Sequence, residues 1–263
     1  MITGRMPAGP PTTGRATPDW SRATVFSAAA FEACWEILGL GETPWQLEPP
    51  RHGSTAIARR AFVAEVRARL QASGADLPAK LRLLAGPAWA VDVRLRSNYV
   101  GAALTASRGK DGGVVAGLAA CRGRHGVLAV RHRDEIALVE VPAADAVAAV
   151  LSLLGPVRPG KGPPMLITTG PDPISAPLLA ACRDVRLFGQ LGASVAARDG
   201  RQLRRSRVIG FHRTDAGDYR SVRVDSSTIA LEPATSARLW ADLDGLLAVD
   251  RERYSGFAGR GST

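Results

Sequence analysis

The stretch Trp89-Ala-Val-Asp-Val-Arg-Leu-Arg96 decides the fold, because its apolar and polar residues alternate with a period of two. That alternation predicts a half-buried β-strand. Asp111-Gly-Gly113 predicts a turn after it, and the apolar residues 114–121 predict the next strand. The sequence therefore predicts a sheet built from antiparallel hairpins.

The same plan continues in the residues that follow. Arg122-Gly-Arg-His-Gly126 predicts a second turn, and residues 127–131 and 136–141 predict two more strands of an antiparallel meander. Pro142-Ala-Ala-Asp145 then opens a helix that runs to Leu154. The first half of the chain is thus predicted as strands followed by a proline-capped helix.

A proline-rich linker starts at Gly155 and leads to a second half with the same order of elements. Predicted strands at residues 187–198, 208–211, 219–224 and 228–231 are followed by a helix at residues 233–247. The two halves also share a short similarity. Val139-Glu-Val-Pro-Ala-Ala in the first half resembles Ala230-Leu-Glu-Pro-Ala-Thr in the second. We infer an internal pseudo-repeat of two α+β halves, at about residues 25–155 and 165–250.

The ends of the chain differ from its middle. Residues 1–24 hold four prolines and no hydrophobic period, which predicts a disordered leader. Residues 25–250 are predicted to form a single domain, and residues 251–263 a flexible tail.

Two helices are predicted at the start of this domain. The first places apolar residues on one face and ends at Gly39 and Gly41, which supply the conformation of a helix C-cap. The second is capped by Ser54 or Thr55 and covers residues 55–72.

Composition places the chain in a broad class. Hydrophobic residues make up 46% and charged residues 22%, as in globular proteins with an apolar core. No apolar run approaches the ~18 residues that span a bilayer, and no signal peptide is visible, so a cytoplasmic location is expected. Cys34, Cys121 and Cys182 lie far apart and are expected to be small buried hydrophobes.

The formal net charge of +10 raises the possibility of nucleic-acid binding. All but three of the 34 basic residues are arginines, which is typical of GC-rich codon usage without selection for phosphate contacts. The one dense stretch, residues 198–207, is more typical of a solvated hairpin. No helix-turn-helix, zinc-finger or RNA-binding motif accompanies these arginines.

No motif predicts catalysis, a metal or a cofactor. Gly155-Pro-Val-Arg-Pro-Gly-Lys-Gly162 matches the start of a phosphate-binding P-loop, but Gly162 stands where that loop needs Ser or Thr. Pro163 and Pro164 also prevent the helix that would follow. The four histidines include no metal-ligand pair and are expected to be solvated or capping residues; they are His52, His125, His132 and His212.

Four short motifs together resemble the EspG family, the cytosolic chaperones of type VII (ESX) secretion in actinobacteria. They are Phe31-Glu-Ala-Cys-Trp-Glu-Ile-Leu-Gly-Leu-Gly-Glu-Thr-Pro44, Pro50-Arg-His-Gly-Ser-Thr55, Phe188-Gly-Gln-Leu-Gly-Ala-Ser-Val195 and Phe211-His-Arg-Thr-Asp-Ala-Gly-Asp-Tyr219. The resemblance covers about residues 25–250. It implies a central antiparallel sheet flanked by helical bundles, with quasi-twofold internal symmetry.

The function that this resemblance implies is binding without catalysis. EspG proteins bind the tip of the PPE partner in PE–PPE heterodimers and keep these secretion substrates soluble. An exposed apolar tip favours aggregation, and a protein that covers it suppresses self-association. A small helical substrate of the same secretion system is an alternative partner.

Family analogy places partner contact on loops and on the last helix. The predicted contact residues are Arg108, Lys110 and Asp111 in one hairpin, Arg122, Arg124 and His125 in another, and Leu239, Trp240, Leu243 and Leu247 on the helix. The first alternative function is nucleic-acid binding, with an affinity that falls steeply with salt. The second is an enzyme of unknown type, with a deep pocket and perturbed ionisable groups.

Overall fold

The alternating stretch at residues 89–96 lies near the centre of one large antiparallel sheet. The computed structural model of the chain describes residues 18–48, 55–97, 113–168, 185–197 and 201–255. Their helices are α1 (Ala28–Ile37), α2 (Ala56–Ala72), α3 (Asp76–Ala85), α4 (Ala146–Ser152) and α5 (Ser236–Ser255). Their strands are β1 (Thr24–Ser27), β2 (Trp89–Ser97), β3 (Val114–Arg122), β4 (His125–His132), β5 (Glu135–Pro142), β6 (Met165–Thr168), β7 (Leu187–Ala196), β8 (Gln202–Arg204), β9 (Ile209–Thr214), β10 (Gly217–Arg223) and β11 (Thr228–Pro233).

The strands form one sheet in the order β1-β5-β4-β3-β2-β7-β9-β10-β11-β6, and β8 pairs with β7 outside this path. All of these strand pairs are antiparallel. Strands β2 and β7 join the two halves of the chain through nine paired positions, from Trp89 opposite Val195 to Ser97 opposite Leu187. The predicted α+β class and antiparallel sheet are therefore confirmed.

One face of the sheet packs against α4 and α5. The side chains of Val91, Val93 and Leu95 on β2 point to this face and share a core cluster with Val150 and Leu243 of the two helices. Leu128 of β4 and Phe211 of β9 are completely buried in the same cluster, so it extends under both halves. The period-two alternation of β2 thus provides the apolar face on which the two helices pack.

The opposite face of the first half packs against α1, α2 and α3. Leu118, Ile136 and Leu138 contribute the apolar side chains of β3 and β5. Phe31 and Leu81 contribute those of α1 and α3, and both are completely buried. The first half of the sheet therefore has an apolar core on each face.

The glycine-rich motif after α1 is a helix end, as predicted. Gly39 and Gly41 have φ values of 62° and 76°, which L side chains rarely adopt. The indole nitrogen of Trp35 donates to the carbonyl of Gly41 at 3.1 Å, which ties the loop to the helix. Thr55 caps α2 by accepting from the backbone N–H of Ala58 at 3.2 Å. The predicted boundaries of the second helix are thus confirmed within one residue.

Four of the labelled elements, α3, β1, β6 and β8, were not predicted from the sequence, and β1 begins at Thr24, the last residue of the predicted leader. Pro78 obscures α3, but it lies in the first helical turn, where a proline removes no intrahelical hydrogen bond. Strands β6 and β8 are four and three residues long, too short for a period to be visible. Helix α5 runs to Ser255, so residues 251–255 of the predicted tail are helical. Residues 1–17 of the predicted leader and 256–263 of the tail lie outside the described residues.

Two of the three cysteines lie in the described part of the chain, and both are free thiols. Cys34 and Cys121 are buried, in agreement with the sequence prediction. Burial raises the pKa of Cys34 to about 11 and that of Cys121 to about 12, so both thiols stay protonated at neutral pH. Cys182 lies outside the described residues.

Candidate partner-binding surface

Polar and half-exposed side chains occupy the centre of the sheet on the face opposite α4 and α5. We call this surface the central sheet face, and it consists of Arg94, Arg96, Val114, Phe188, Gln190 and His212. Strand register places them together. Arg94 lies opposite Gln190, and Arg96 lies between Val114 and Phe188. His212 lies opposite Phe188 on the next strand.

This surface is exposed in the middle of the sheet, as one face of an antiparallel sheet often is. Strand β2 has hydrogen-bonded neighbours on both sides, yet the side chains of Arg94 and Arg96 are exposed. Phe188 and Val114 are each 36% exposed. Exposed apolar side chains beside arginines are a common composition for protein–protein interfaces.

His212 is held by its neighbours at one border of the central sheet face. Its ring centroid lies 5.3 Å from that of Phe188, and its Nε2 lies 2.8 Å from the hydroxyl oxygen of Ser221. Burial lowers the pKa of His212 to about 4, so the ring is neutral at physiological pH. The prediction that His212 is a solvated or capping residue was wrong, because the side chains of Phe188 and Ser221 on the neighbouring strands pack against the ring.

A buried ion pair forms the border towards the first half. Arg204 of β8 donates two hydrogen bonds to the carboxylate of Asp92, at 3.0 and 2.9 Å. The guanidinium of Arg204 also lies 4.4 Å from the ring centroid of Trp45. Burial raises the pKa of Asp92 although Arg204 opposes the shift. Strands β7 and β8 of the predicted arginine-rich hairpin pair with each other, while residues 198–200 lie outside the described residues. Arg204 contacts a buried carboxylate and Trp45 in the loop before α2, so it is not simply solvated as predicted.

The proline-rich linker is fixed to the start of β10 in the second half. The carboxylate of Asp218 accepts from the Arg158 backbone N–H at 3.0 Å and from the guanidinium of Arg213 at 2.8 and 2.9 Å. The hydroxyl of Tyr219 donates to the carbonyl of Lys161 at 2.9 Å. A Cβ atom at Gly217 would lie 2.7 Å from the Cα of Gly160. These contacts give Gly217 and Tyr219, at the end of the Phe211–Tyr219 motif, a structural role. They also show that the segment 155–162, which resembles the start of a P-loop, packs against β10.

The structure describes one of the two predicted hairpins. Residues 98–112, with Arg108, Lys110 and Asp111, lie outside the described residues, but they follow the end of β2 that carries Arg96. Arg122, Arg124 and His125 are exposed at the β3–β4 turn, at the opposite end of the sheet. A nine-residue strand separates these ends by about 25 Å. Contact of either group with a partner stays a prediction.

The predicted contacts on α5 face the sheet. Leu239 and Leu243 are completely buried and Leu247 is 2% exposed, and all three lie in the core cluster under α4 and α5. Trp240 is half-buried and packs against the same cluster. The outer side of α5 instead carries the small exposed residues Ala237, Ala241 and Gly245. Partner contact by the predicted residues of α5 also stays a prediction.

Sequence reasoning missed the arginines of the central sheet face. The signal was available, because Arg94 and Arg96 occupy alternate positions of a strand whose opposite face carries Val91, Val93 and Leu95. The motif that contains Phe188 and Gln190 carries the family resemblance but no local sign of a contact surface. Sequence alone does not say which strands become neighbours, and so it does not bring these four residues together.

The described part of the chain holds no group of three or more His, Cys, Asp or Glu side chains arranged to bind a metal ion. None of its helices combines the length and apolar character that crossing a bilayer requires.

Comparison with known proteins identifies the family. The sequence model of the EspG family matches residues 27–245, while a comparison with curated protein sequences found no match. Among 14 matching chains of solved structures is the type VII secretion chaperone EspG5 of Mycobacterium tuberculosis, solved in complex with the PE25–PPE41 dimer. That match has a TM-score of 0.61 and 15% identity, and it covers 86% of this chain and 95% of EspG5. Because the family match spans well over half of the sequence, the chain belongs to the EspG family.

Proposed function

We propose that the protein is a cytoplasmic chaperone of type VII secretion. It binds a substrate of the PE–PPE kind, covers the apolar tip of the PPE partner, and keeps the substrate soluble and competent for export. The observation that carries this proposal is the EspG family match over residues 27–245. The fold shared with EspG5, a chaperone solved with a bound PE–PPE dimer, supports it.

The shape of the sheet suits this role. Both halves contribute strands to one sheet, and the core under α4 and α5 extends beneath both of them. The central sheet face therefore lies on a well-packed sheet. The chaperone is expected to lose little conformational entropy when a partner binds there. We propose this surface as part of the partner contact, together with the predicted hairpin residues that follow the end of β2. No catalytic role is proposed for any residue.

We also propose that residues 25–250 form one domain of two quasi-twofold halves, flanked by helical bundles. Strand order supports this symmetry. From the β2–β7 pair outwards, the first half continues as β3, β4, β5 and then β1, and the second as β9, β10, β11 and then β6. In each half the first strand in the chain is thus the outermost strand of the sheet. Helices α4 and α5 follow the corresponding strands β5 and β11.

Co-expression tests the proposal. The chain is expressed with a PE–PPE pair encoded in the same genome, and the mixture is separated by size-exclusion chromatography. We expect one peak that contains all three chains. An interface that buries about 800 Å² on each partner is large enough for a stable complex. Absence of co-elution with every such pair, together with tight binding of duplex DNA at physiological salt, would contradict the chaperone function in favour of nucleic-acid binding.

A further inference from the structure

The arginines of the central sheet face have no acidic partner among the described residues. Arg94 and Arg96 form no ion pair there. Asp92, the acidic residue next along the same strand face, is already bound by both terminal nitrogens of Arg204. Within the described part of the chain, no acidic side chain therefore balances the charge of these two exposed arginines.

The strand register places these arginines beside the apolar ring of Phe188. Side chains two residues apart on a strand lie about 7 Å from each other on the same face. Directly opposed residues on paired strands lie about 5 Å apart. Arg94, Arg96, Gln190 and Phe188 thus form the four corners of a small patch. Val114 of β3 lies on the other side of Arg96 and adds a second apolar side chain to the patch.

Covering this patch has an electrostatic cost. A partner that removes water from two arginines without supplying an opposite charge leaves them unpaired in a low-dielectric interface. A purely apolar tip would therefore bind poorly here. A tip with carboxylates beside an apolar side chain would pair with the arginines while its apolar side chain contacts Phe188.

We propose that Arg94 and Arg96 determine specificity by selecting substrates whose tip carries Asp or Glu next to an apolar residue. This inference rests on the proposed function, since it concerns how the chaperone distinguishes its substrates. Single-stranded nucleic acid is the competing ligand for a surface of arginines and an aromatic ring. The central sheet face favours a polypeptide, because the ring of Phe188 is only 36% exposed and already lies against His212.

A pair of double variants tests the proposal. The first is Arg94→Gln with Arg96→Gln. The matched control is Arg60→Gln with Arg67→Gln, two exposed arginines of α2 that also form no ion pair among the described residues. Both variants remove two positive charges, but the control does so away from the central sheet face. Affinity for the PE–PPE pair that co-elutes with the wild type is measured by isothermal titration calorimetry, and a thermal unfolding curve checks that each variant is folded.

We expect the first double variant to weaken binding by about 10- to 100-fold and the control to stay within about 2-fold of the wild type. Raising salt from about 0.05 M to about 0.3 M is expected to weaken wild-type binding more than binding of the first variant. Equal affinities of the two double variants would overturn this inference but leave the proposed function intact. Failure of the wild type to bind any pair would contradict the proposed function itself. Loss of tight single-stranded DNA binding in the first variant alone would instead assign the arginines to nucleic acid.

Discussion

The two halves of the sheet are stabilised in different ways. In the first half, apolar side chains cover both faces, with α4 on one side and α1, α2 and α3 on the other. In the second half, buried charges join the elements. Asp218 and Arg220 are 1% and 4% exposed, and Asp92 at the junction is bound by Arg204 of the second half.

These two modes of stabilisation have different consequences. Apolar packing is tolerant of direction and insensitive to pH, whereas a buried ion pair requires each partner in place. Arg220 illustrates the second mode, since it donates to Asp242 of α5 at 2.8 Å and to Glu232 of β11 at 2.6 Å. Directional contacts hold α5 and the linker in place without closing the central sheet face, which stays open for a partner.

The largest expected effect is the loss of Asp218. Asp218→Ala leaves the guanidinium of Arg213 without its carboxylate and removes the acceptor of the Arg158 N–H. Breaking a buried pair in this way costs about 3 to 5 kcal/mol of the free energy of unfolding. Urea unfolding monitored by circular dichroism measures this loss.

The control for this prediction is Asp215, three residues earlier. Its ion pair with Arg186 has a length of 2.5 Å, but both side chains are more than half exposed. Asp215→Ala is therefore expected to cost less than about 1 kcal/mol. Equal losses for the two variants would contradict the difference between the buried and exposed pairs.

Truncation of the apolar core tests the first half. Leu138→Ala removes a completely buried side chain from the cluster under α1, α2 and α3. The cavity that remains is expected to cost about 3 kcal/mol, with the same value at neutral and mildly acidic pH. Urea unfolding at two pH values measures both quantities. A loss that changes strongly with pH would indicate that charged groups also stabilise this half.

A smaller effect concerns pH and the second half. The pKa of His212 is about 4 in the folded protein and 6.5 in the unfolded chain. Above pH 6.5 the ring is neutral in both states, so its titration does not change the free energy of unfolding. As the pH falls from 6.5 towards 4, the unfolded chain binds a proton that the folded protein does not bind, so stability is lost. The full loss is about 1 to 3 kcal/mol.

The variant His212→Gln isolates this contribution. It retains a hydrogen-bonding side chain near the hydroxyl of Ser221 but does not titrate. The free energy of unfolding of the wild type is expected to fall more steeply between pH 6.5 and 4 than that of the variant. Parallel pH curves would show that His212 titrates equally in both states.

The smallest effect is a gain in stability on α5. An ideal Cβ atom at Gly245 meets no atom within 4 Å, so Gly245→Ala is expected to stabilise the protein by about 0.5 to 1 kcal/mol. The control Gly160→Ala places a Cβ 2.2 Å from the ring of Tyr219 and is expected to destabilise it. Melting temperatures measure both effects. A destabilising Gly245→Ala would contradict the open surroundings of this glycine.

Much of the fold was predictable because it depends on local patterns. The alternation in β2 predicted a strand with one apolar face, and Gly39 and Gly41 predicted the end of α1. Helix α3 was not predicted, since a proline in the first turn of a helix cannot be told from a helix-breaking proline by the local sequence alone. The proline-rich linker was recognised, but its attachment to Asp218 was not, because that contact joins residues 60 positions apart.

The sequence by itself determined most of the antiparallel strands, the boundaries of α2, the end of α1 and the family resemblance, because these depend on periodicity and on motifs within a few residues. Only the tertiary structure decided that Leu239, Leu243 and Leu247 face the core and that Arg94 and Arg96 meet Phe188 and Gln190 on one surface. The physical reason is that side-chain exposure on a sheet depends on which strands pair and what covers each face. Strand pairing joins residues about a hundred positions apart in the chain, and no local pattern encodes that distance.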